Sequence, residues 1–353
     1  MSQINVMLVD DSAYMRGMLR SIINAQNDIV VSGSCSTANE AVQSMQQKLP
    51  DVILINLEMA GMSDLGLLDH LMKFQEMPVI IMSDETMHTH DITMKALKMG
   101  VIGFAGKPKV DSTLTGYGGA LCDIIRTAAS SKALNSPSRK SAAGTPEKDV
   151  PQALPMLKRP LIASEKLLVL GASTGGTEAI KDVLMRLPVD SPGIVITQHM
   201  PEGFTGSFAL RLDHLCQISV KEAEHGERIL PGHAYIAPGH SHLLINRRDN
   251  QFFCELSQAP PVNRHRPSVD VLFRSAAQHV KDNAIGIILT GMGRDGADGM
   301  RDMHDAGAQT FAQNEASCVV FGMPKEAIAR GGVDEVVALP QIADQIMAYL
   351  RKI

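Results

Sequence analysis

Serine, histidine and aspartate recur in this sequence where short apolar runs end. Ser173 lies in Gly171-Ala172-Ser173-Thr174-Gly175-Gly176, His199 in Gln198-His199-Met200-Pro201 and Asp295 in Gly291-Met292-Gly293-Arg294-Asp295-Gly296. Hydroxyl, imidazole and carboxylate are the parts of a proton relay in which the base takes the serine proton and the acid fixes the imidazole tautomer. Small residues around Ser173 let the backbone turn sharply and a carbonyl approach, and N–H groups opening a helix face a developing oxyanion. Alone, the six residues read equally well as a glycine-rich loop that packs or cradles a phosphate. Each partner also has a structural reading: Ser173 as a loop hydroxyl, His199 as an edge histidine, Asp295 as a cap for a helix opening near Gly296. Together the three residue types point to acyl transfer.

The surrounding pattern says what must hold them. Lys166-Leu167-Leu168-Val169-Leu170 reads as a buried parallel strand, and Thr177 to Leu187 carries Ile180, Val183, Leu184 and Leu187 at helical spacing. Gly193 to Gln198 and Ala284 to Thr290 are two further apolar strands. A turn, helix, turn and strand fill the interval from Ser173 to His199, so both fall on one edge of one sheet, and Asp295 follows its strand onto the same edge. The order Ser, His, Asp differs from the Ser, Asp/Glu, His order of α/β-hydrolases despite the Gly171-x-Ser173-x-Gly175 match, which disfavours a lipase-like fold.

The N-terminal part has the same α/β logic. A strand at 4–9 ends in Asp10-Asp11, and a helix from Ser12 to about Ala25 places Met15, Met18, Leu19 and Ile22 on one face. Strands are expected at 29–34, 51–56, 78–83 and 101–105, each followed by a helix-length segment, which implies a doubly wound parallel sheet. The strand ends carry Asp10, Asp11, Asn56, Ser83 and Lys107. Paired carboxylates can hold Mg2+ weakly, and a hydroxyl and a lysine can meet a phosphoryl group; equally, these are polar groups that satisfy one another. Residues 127–160, rich in Ser, Ala, Lys and Pro, read as a flexible linker in which a docking motif would be invisible to composition. His88 and His90 read as exposed, and His240 and His242 as structural histidines rather than a metal pair.

Composition narrows the function classes. The 353 residues suffice for two domains, and 20% charged and 44% hydrophobic residues are ordinary for a globular chain. A net charge of -5 and no basic stripe argue against nucleic-acid binding. No apolar run approaches the roughly 20 residues that span a bilayer, so the expectation is a cytoplasmic protein, not membrane-embedded. The five cysteines are scattered without a CxxC, as buried thiols would be.

Two resemblances follow from these residues. Asp10, Asp11, Ser83, Lys107 and Phe104, an aromatic at the switch position, make residues 1–126 similar to the receiver domain of two-component response regulators. That family's phosphoacceptor is an aspartate at the end of the third strand. Here Asn56 stands in its place, in Ile55-Asn56-Leu57-Glu58-Met59, and the loop Ala60-Gly61-Met62-Ser63-Asp64 also departs from the usual one. An amide cannot form an acyl phosphate, so the receiver reads as degenerate. Residues 161–353 resemble the chemotaxis protein-glutamate methylesterases through the motifs above, together with Asn263-Arg264-His265-Arg266-Pro267-Ser268-Val269-Asp270, Leu289-Thr290-Gly291-Met292-Gly293 and Gly322-Met323-Pro324.

That resemblance implies a flavodoxin-like receiver ahead of a Rossmann-like serine esterase domain. It implies Ser173 as nucleophile, His199 as base, Asp295 as orienting acid, and the backbone N–H groups of Thr174 and Met292 as the oxyanion site. The implied activity is hydrolysis of glutamate γ-methyl esters on methylated chemoreceptors, with deamidation of receptor glutamines, no cofactor, and a chemotaxis histidine kinase as a partner. Two other classes remain open: a metal-dependent hydrolase using His199, His240, His242 and Asp295, and a catalytically silent receptor- or partner-binding module. Arg264, His265 and Arg266 either steer an acidic helix or flank Pro267 and Ser268, read as helix N1 and cap. Asn314 and Glu315 are candidate supports of the edge, and Phe321 to Pro324 reads as a shaped loop.

Overall fold

A computed structural model describes residues 3–56, 58, 59, 78–83, 103–107, 117–119, 121, 122, 124–126, 128, 129, 154–157 and 165–353. The chain divides between Thr145 and Pro146 into two compact units, each with its own sheet and core. His88, His90, residues 60–64, the side chain of Phe104 and nearly all of 127–160 lie outside the described residues.

In the first unit β1 (Ile4–Val9), α1 (Ala13–Asn24), β2 (Ile29–Cys35), α2 (Ala38–Gln47), β3 (Val52–Asn56), β4 (Val79–Ser83) and β5 (Gly103–Gly106) follow one another. The strands form a parallel five-stranded sheet in the order β2-β1-β3-β4-β5, the order of flavodoxin-like sheets. Every position of β3 and β4 is buried, as a parallel sheet covered on both faces requires. The helix expected from Ser12 begins one residue later, because the Ser12 hydroxyl accepts the Met15 N–H as a cap. Parallel neighbours bring the carboxyl ends of β1, β3, β4 and β5, with Asp10, Asn56, Ser83 and Lys107, to one rim.

The second unit holds β6 (Leu167–Ala172), α3 (Gly176–Arg186), β7 (Gly193–Gln198), α4 (Thr205–Leu215), β8 (Ser219–Glu222) and β9 (His233–Ile236). The antiparallel hairpin β10 (His242–Arg248) and β11 (Gln251–Ser257) follows, then α5 (Val269–His279), β12 (Ala284–Ile288), α6 (Ala297–Asp305), β13 (Gln309–Gln313), α7 (Met323–Ala329), β14 (Glu335–Val337) and α8 (Leu339–Lys352). The main sheet runs β14-β13-β12-β6-β7-β9-β8, with every neighbouring pair parallel. The apolar pattern reveals β6, β7 and β12. It does not reveal β8, β9, β13 and β14, which are three to five residues long and too short to show a period.

β6 has β7 on one side and β12 on the other. The chain first builds outward through β7 and later returns to the opposite flank, so the strand order reverses at β6, where ligands of open α/β sheets bind. Here α5 presses onto the end of β6. A Cβ on Gly171 would lie 2.2 Å from Val269 Cγ1 and 3.0 Å from Phe273 Cζ, so the first residue of α5 can sit on the strand only because position 171 has no side chain. Gly171→Ala is therefore expected to push α5 outward and to destabilise the unit by about 1–3 kcal/mol, read as a lower urea midpoint; an unchanged midpoint would show that α5 shifts without cost.

Candidate active site

Ser173 sits between β6 and α3 on a turn held from every side. Its N–H donates to Thr290 O at 3.0 Å, and Gln198 Nε2 donates to its carbonyl at 2.9 Å. The Thr290 hydroxyl donates to Thr174 O at 2.9 Å and accepts the Val320 N–H, also at 2.9 Å. Gly175 takes a left-handed φ of 77°, which glycine supplies without steric cost. A Cβ on Gly176 would fall 2.1 Å from Gln198 Oε1, so this glycine makes room for the glutamine that pins the serine. The register pairs Ala172 with Gln198, and His199 N donates to Ala172 O at 3.1 Å. Ser173 and His199 thus leave adjacent strands side by side.

Asp295 is the most heavily bonded side chain of this rim. His199 Nε2 meets its Oδ2 at 2.7 Å, and Oδ2 also accepts the Val269 N–H at 2.7 Å. Its Oδ1 accepts Asn263 Nδ2 at 2.8 Å, the Ser268 hydroxyl at 2.8 Å and the Asp270 N–H at 3.3 Å. Burial opposes ionisation, but the hydrogen bond from His199, with those from Asn263 and Ser268, outweighs it and holds the carboxyl well below the usual carboxylate range. An ionised carboxylate only accepts. His199 therefore carries its proton on Nε2, and the lone pair lies on Nδ1, which is buried and without a hydrogen-bond partner. That nitrogen makes no bond to the Ser173 hydroxyl; hydrogen bonds at catalytic sites often tighten only around substrate.

A tight turn completes the support. Val262 and His265 bridge each other, and Asn263 and Arg264 between them have φ of 51° and 70°, a conformation that non-glycine residues rarely hold without surrounding constraint. The turn delivers Asn263 to Asp295 and stacks the His265 ring on His199 at 3.7 Å between centroids and 9° between planes. Burial, then the neighbouring His199, push His265 down to about 3, so a neutral ring covers the face of His199.

Several sequence readings change. Asp295 does not cap the helix that opens at Gly296; that helix has no side-chain cap, and the carboxylate instead receives the first N–H groups of α5. Ser268 is the N-cap position of α5, but its hydroxyl serves Asp295, and Pro267 precedes the cap rather than occupying N1. His265 faces His199 rather than a steering surface, and Arg266 Nη1 donates to the carbonyls of Gln258 and Ala259. Asn314 caps a short turn through Ser317 N. Gly322 N and Met323 N donate to Gly291 O at 3.0 and 2.8 Å, so the Phe321 to Pro324 loop buttresses the backbone beside Met292. Asn263, Ser268 and Gln198 are site residues that sequence reasoning does not single out; for the first two the signal is the polar run 263–268 immediately before α5.

The metal-hydrolase alternative lacks its donors. His242 has both ring nitrogens engaged, Nε2 with Pro260 O and Nδ1 with Ser268 N–H, and His240 Nδ1 is bonded to Ser241 Oγ. Among the described residues no group of three His, Cys, Asp or Glu side chains converges as a metal site.

At the rim of the first unit Asp10 is buried and Ser12 N donates to its Oδ1 at 2.8 Å. Burial raises the Asp10 pKa, against the Ser12 N–H and the Lys107 charge. Asn56 directs Nδ2 at Asp11 Oδ1, 3.4 Å away, while its Oδ1 accepts the Glu58 N–H at 3.0 Å. A donor thus faces the acid pair and the amide oxygen is already used, so position 56 offers no third oxygen and the set does not fit a Mg2+ ion as three carboxylates would. Ser83 and Lys107 both contact Glu58, which sequence reasoning passed over.

Comparison with known proteins gives the same division. Residues 168–346 match the family model of the CheB methylesterase, and residues 6–116 that of the response regulator receiver domain. A protein-glutamate methylesterase/protein-glutamine glutaminase of Paraburkholderia xenovorans is 51% identical over 352 residues, 99% of this chain and 97% of its own. One from Cupriavidus pinatubonensis is 52% identical over 351 residues, covering 99% and 96%. The crystal structure of the Thermotoga maritima CheB methylesterase catalytic domain aligns with a TM-score of 0.52 at 40% identity, covering 53% of this chain and 99% of that one.

Because the folded Asp295 carboxyl titrates below the unfolded value of about 3.9, its ionisation stabilises the fold fully above that pH, and the contribution is lost as pH falls toward the folded pKa. Asp295→Asn has no such contribution. The urea midpoints of the two proteins should converge as pH is lowered from about 5 to 2; a constant gap across that range would mean that the surroundings do not favour the carboxylate.

Proposed function

This chain belongs to the CheB methylesterase family, the protein-glutamate methylesterase/protein-glutamine glutaminases with a receiver domain, and from that premise we propose that Ser173, His199 and Asp295 are its catalytic residues. Residues 1–126 form the receiver, 127–160 a linker and 161–353 the catalytic domain. The substrate is a γ-glutamyl methyl ester on a cytoplasmic helix of a methylated chemoreceptor, and the reaction serves adaptation in chemotaxis. The observation that carries this reading is the 2.7 Å bond from His199 Nε2 to a buried, multiply bonded Asp295, which leaves Nδ1 as the base beside the nucleophile turn.

In this mechanism Nδ1 takes the Ser173 proton as Oγ attacks the ester carbonyl. The backbone N–H groups of Thr174 and Met292 receive the negative charge on the carbonyl oxygen. Nδ1 then gives its proton to the methoxy oxygen, and methanol leaves a glutamyl-serine ester. Water attacks this ester, giving its proton to the same nitrogen, and restores glutamate and free Ser173. A receptor glutamine follows the same course with ammonia as leaving group. These steps need no cofactor. An open cleft of about 430 Å³ lined by Gly293, Arg294, Phe321, Gly322, Lys325 and Glu326 flanks Met292. No helix among the described residues is long and apolar enough to cross a membrane.

Ser173→Ala should lower methanol release from methylated receptor by about 10⁴-fold or more with the fold intact; near-normal release would remove the serine mechanism. Asn56 has no carboxylate to accept a phosphoryl group from a chemotaxis histidine kinase or a small phosphodonor. Acetyl phosphate with Mg2+ should leave both the intact mass and the methanol release of the full chain unchanged, and a mass gain of one phosphate mapped to residue 56 would refute this.

A further inference from the structure

The chain folds back on itself just past β3. The bond from Glu58 N to Asn56 Oδ1 is a side-chain turn, and it brings the Glu58 carboxylate over the ends of the next two strands. Ser83 Oγ, at the end of β4, donates to Glu58 Oε1 at 2.8 Å, and the Lys107 ammonium, just past β5, pairs with Oε2. The β4–β5 register sets Ser83 beside Gly106, so hydroxyl and ammonium approach the same point from neighbouring strands. Ser83 is fully buried, and the Lys107 and Glu58 side chains are 11% and 22% exposed. An ion pair this sheltered from water is stronger than one at the surface.

Charge explains why the anion comes from residue 58. Asp10 and Asp11 already stand on this rim, and a carboxylate at position 56 would add a like charge against them. Asn56 adds none, and its amide oxygen steers Glu58 into place. We propose that Glu58 is a built-in anionic ligand of the Ser83–Lys107 pair, taking in cis the position in which that hydroxyl and ammonium would hold a phosphoryl oxygen. The receiver then keeps an anion-bound rim with no phosphoryl transfer. Once vacated, the same pair takes a tetrahedral oxyanion.

Isothermal titration of the full chain with inorganic phosphate at fixed ionic strength tests this. A tethered carboxylate competes at roughly millimolar effective concentration, so Glu58→Ala should bind phosphate about tenfold more tightly than the unaltered chain, or more so. Glu58→Ala/Lys107→Ala should lose that gain. Glu58→Gln, which keeps the side-chain shape but not the charge, should also bind more tightly than the unaltered chain and serves if the alanine variant does not fold. Equal affinity in the unaltered chain and the folded single variants, or a gain that survives loss of Lys107, overturns the proposal. Calorimetry reads Ser83 and Lys107 whatever happens at Asn56, so this test and the phosphodonor test fail independently.

Discussion

The catalytic unit is arranged around one buried negative charge. Removing a carboxylate from water costs several kcal/mol unless hydrogen bonds replace the lost solvation, and Asp295 obtains them from His199, Asn263, Ser268, Val269 and Asp270. These donors come from the end of β7, the turn at 262–265 and the first residues of α5. The helix N-terminus contributes its own partial positive charge. Satisfying this single group therefore brings three otherwise separate parts of the chain to one place. Two glycines make the approach physically possible: a Cβ on Gly171 or Gly296 would fall 2.2 or 2.4 Å from Val269 Cγ1.

The charge in turn decides where a proton sits. Because the ionised carboxylate cannot donate, it requires the His199 proton on Nε2 and leaves the lone pair on Nδ1, the nitrogen nearer the backbone. In the Ser-His-Asp arrangement of the serine proteases Nδ1 meets the acid, whereas here it is Nε2 that does. His265, stacked flat and neutral, restricts the orientation of the ring. The strained turn that presents it also presents Asn263, so the ring and the acid are held by one short segment.

Both units place polar side chains at the carboxyl ends of parallel strands, yet they handle charge in opposite ways. In the catalytic unit a single carboxylate is surrounded by donors and kept ionised. On the receiver rim carboxylates are numerous, burial raises the Asp10 pKa, and the strand end between them carries a neutral amide. The anionic contact to Ser83 and Lys107 comes from Glu58 instead, two residues farther along.

Much of this was legible in the linear chain. Apolar runs just ahead of Ser173, His199 and Asp295 identify β6, β7 and β12 because a strand buried on both faces is apolar throughout, and parallel strands deliver their ends to one edge. The residue type at position 56, an amide rather than a carboxylate, is likewise plain in the sequence. The chain's own pattern could not reveal the short strands β8, β9, β13 and β14, nor which helix Asp295 would face. It could not show that the polar run from Asn263 to Asp270 closes around a residue far along the chain, or that Glu58 turns back to Ser83 and Lys107. Those outcomes depend on contacts between residues remote in sequence, where approach distance and the solvation of buried charge decide, and neither quantity has a periodicity that a sequence can display.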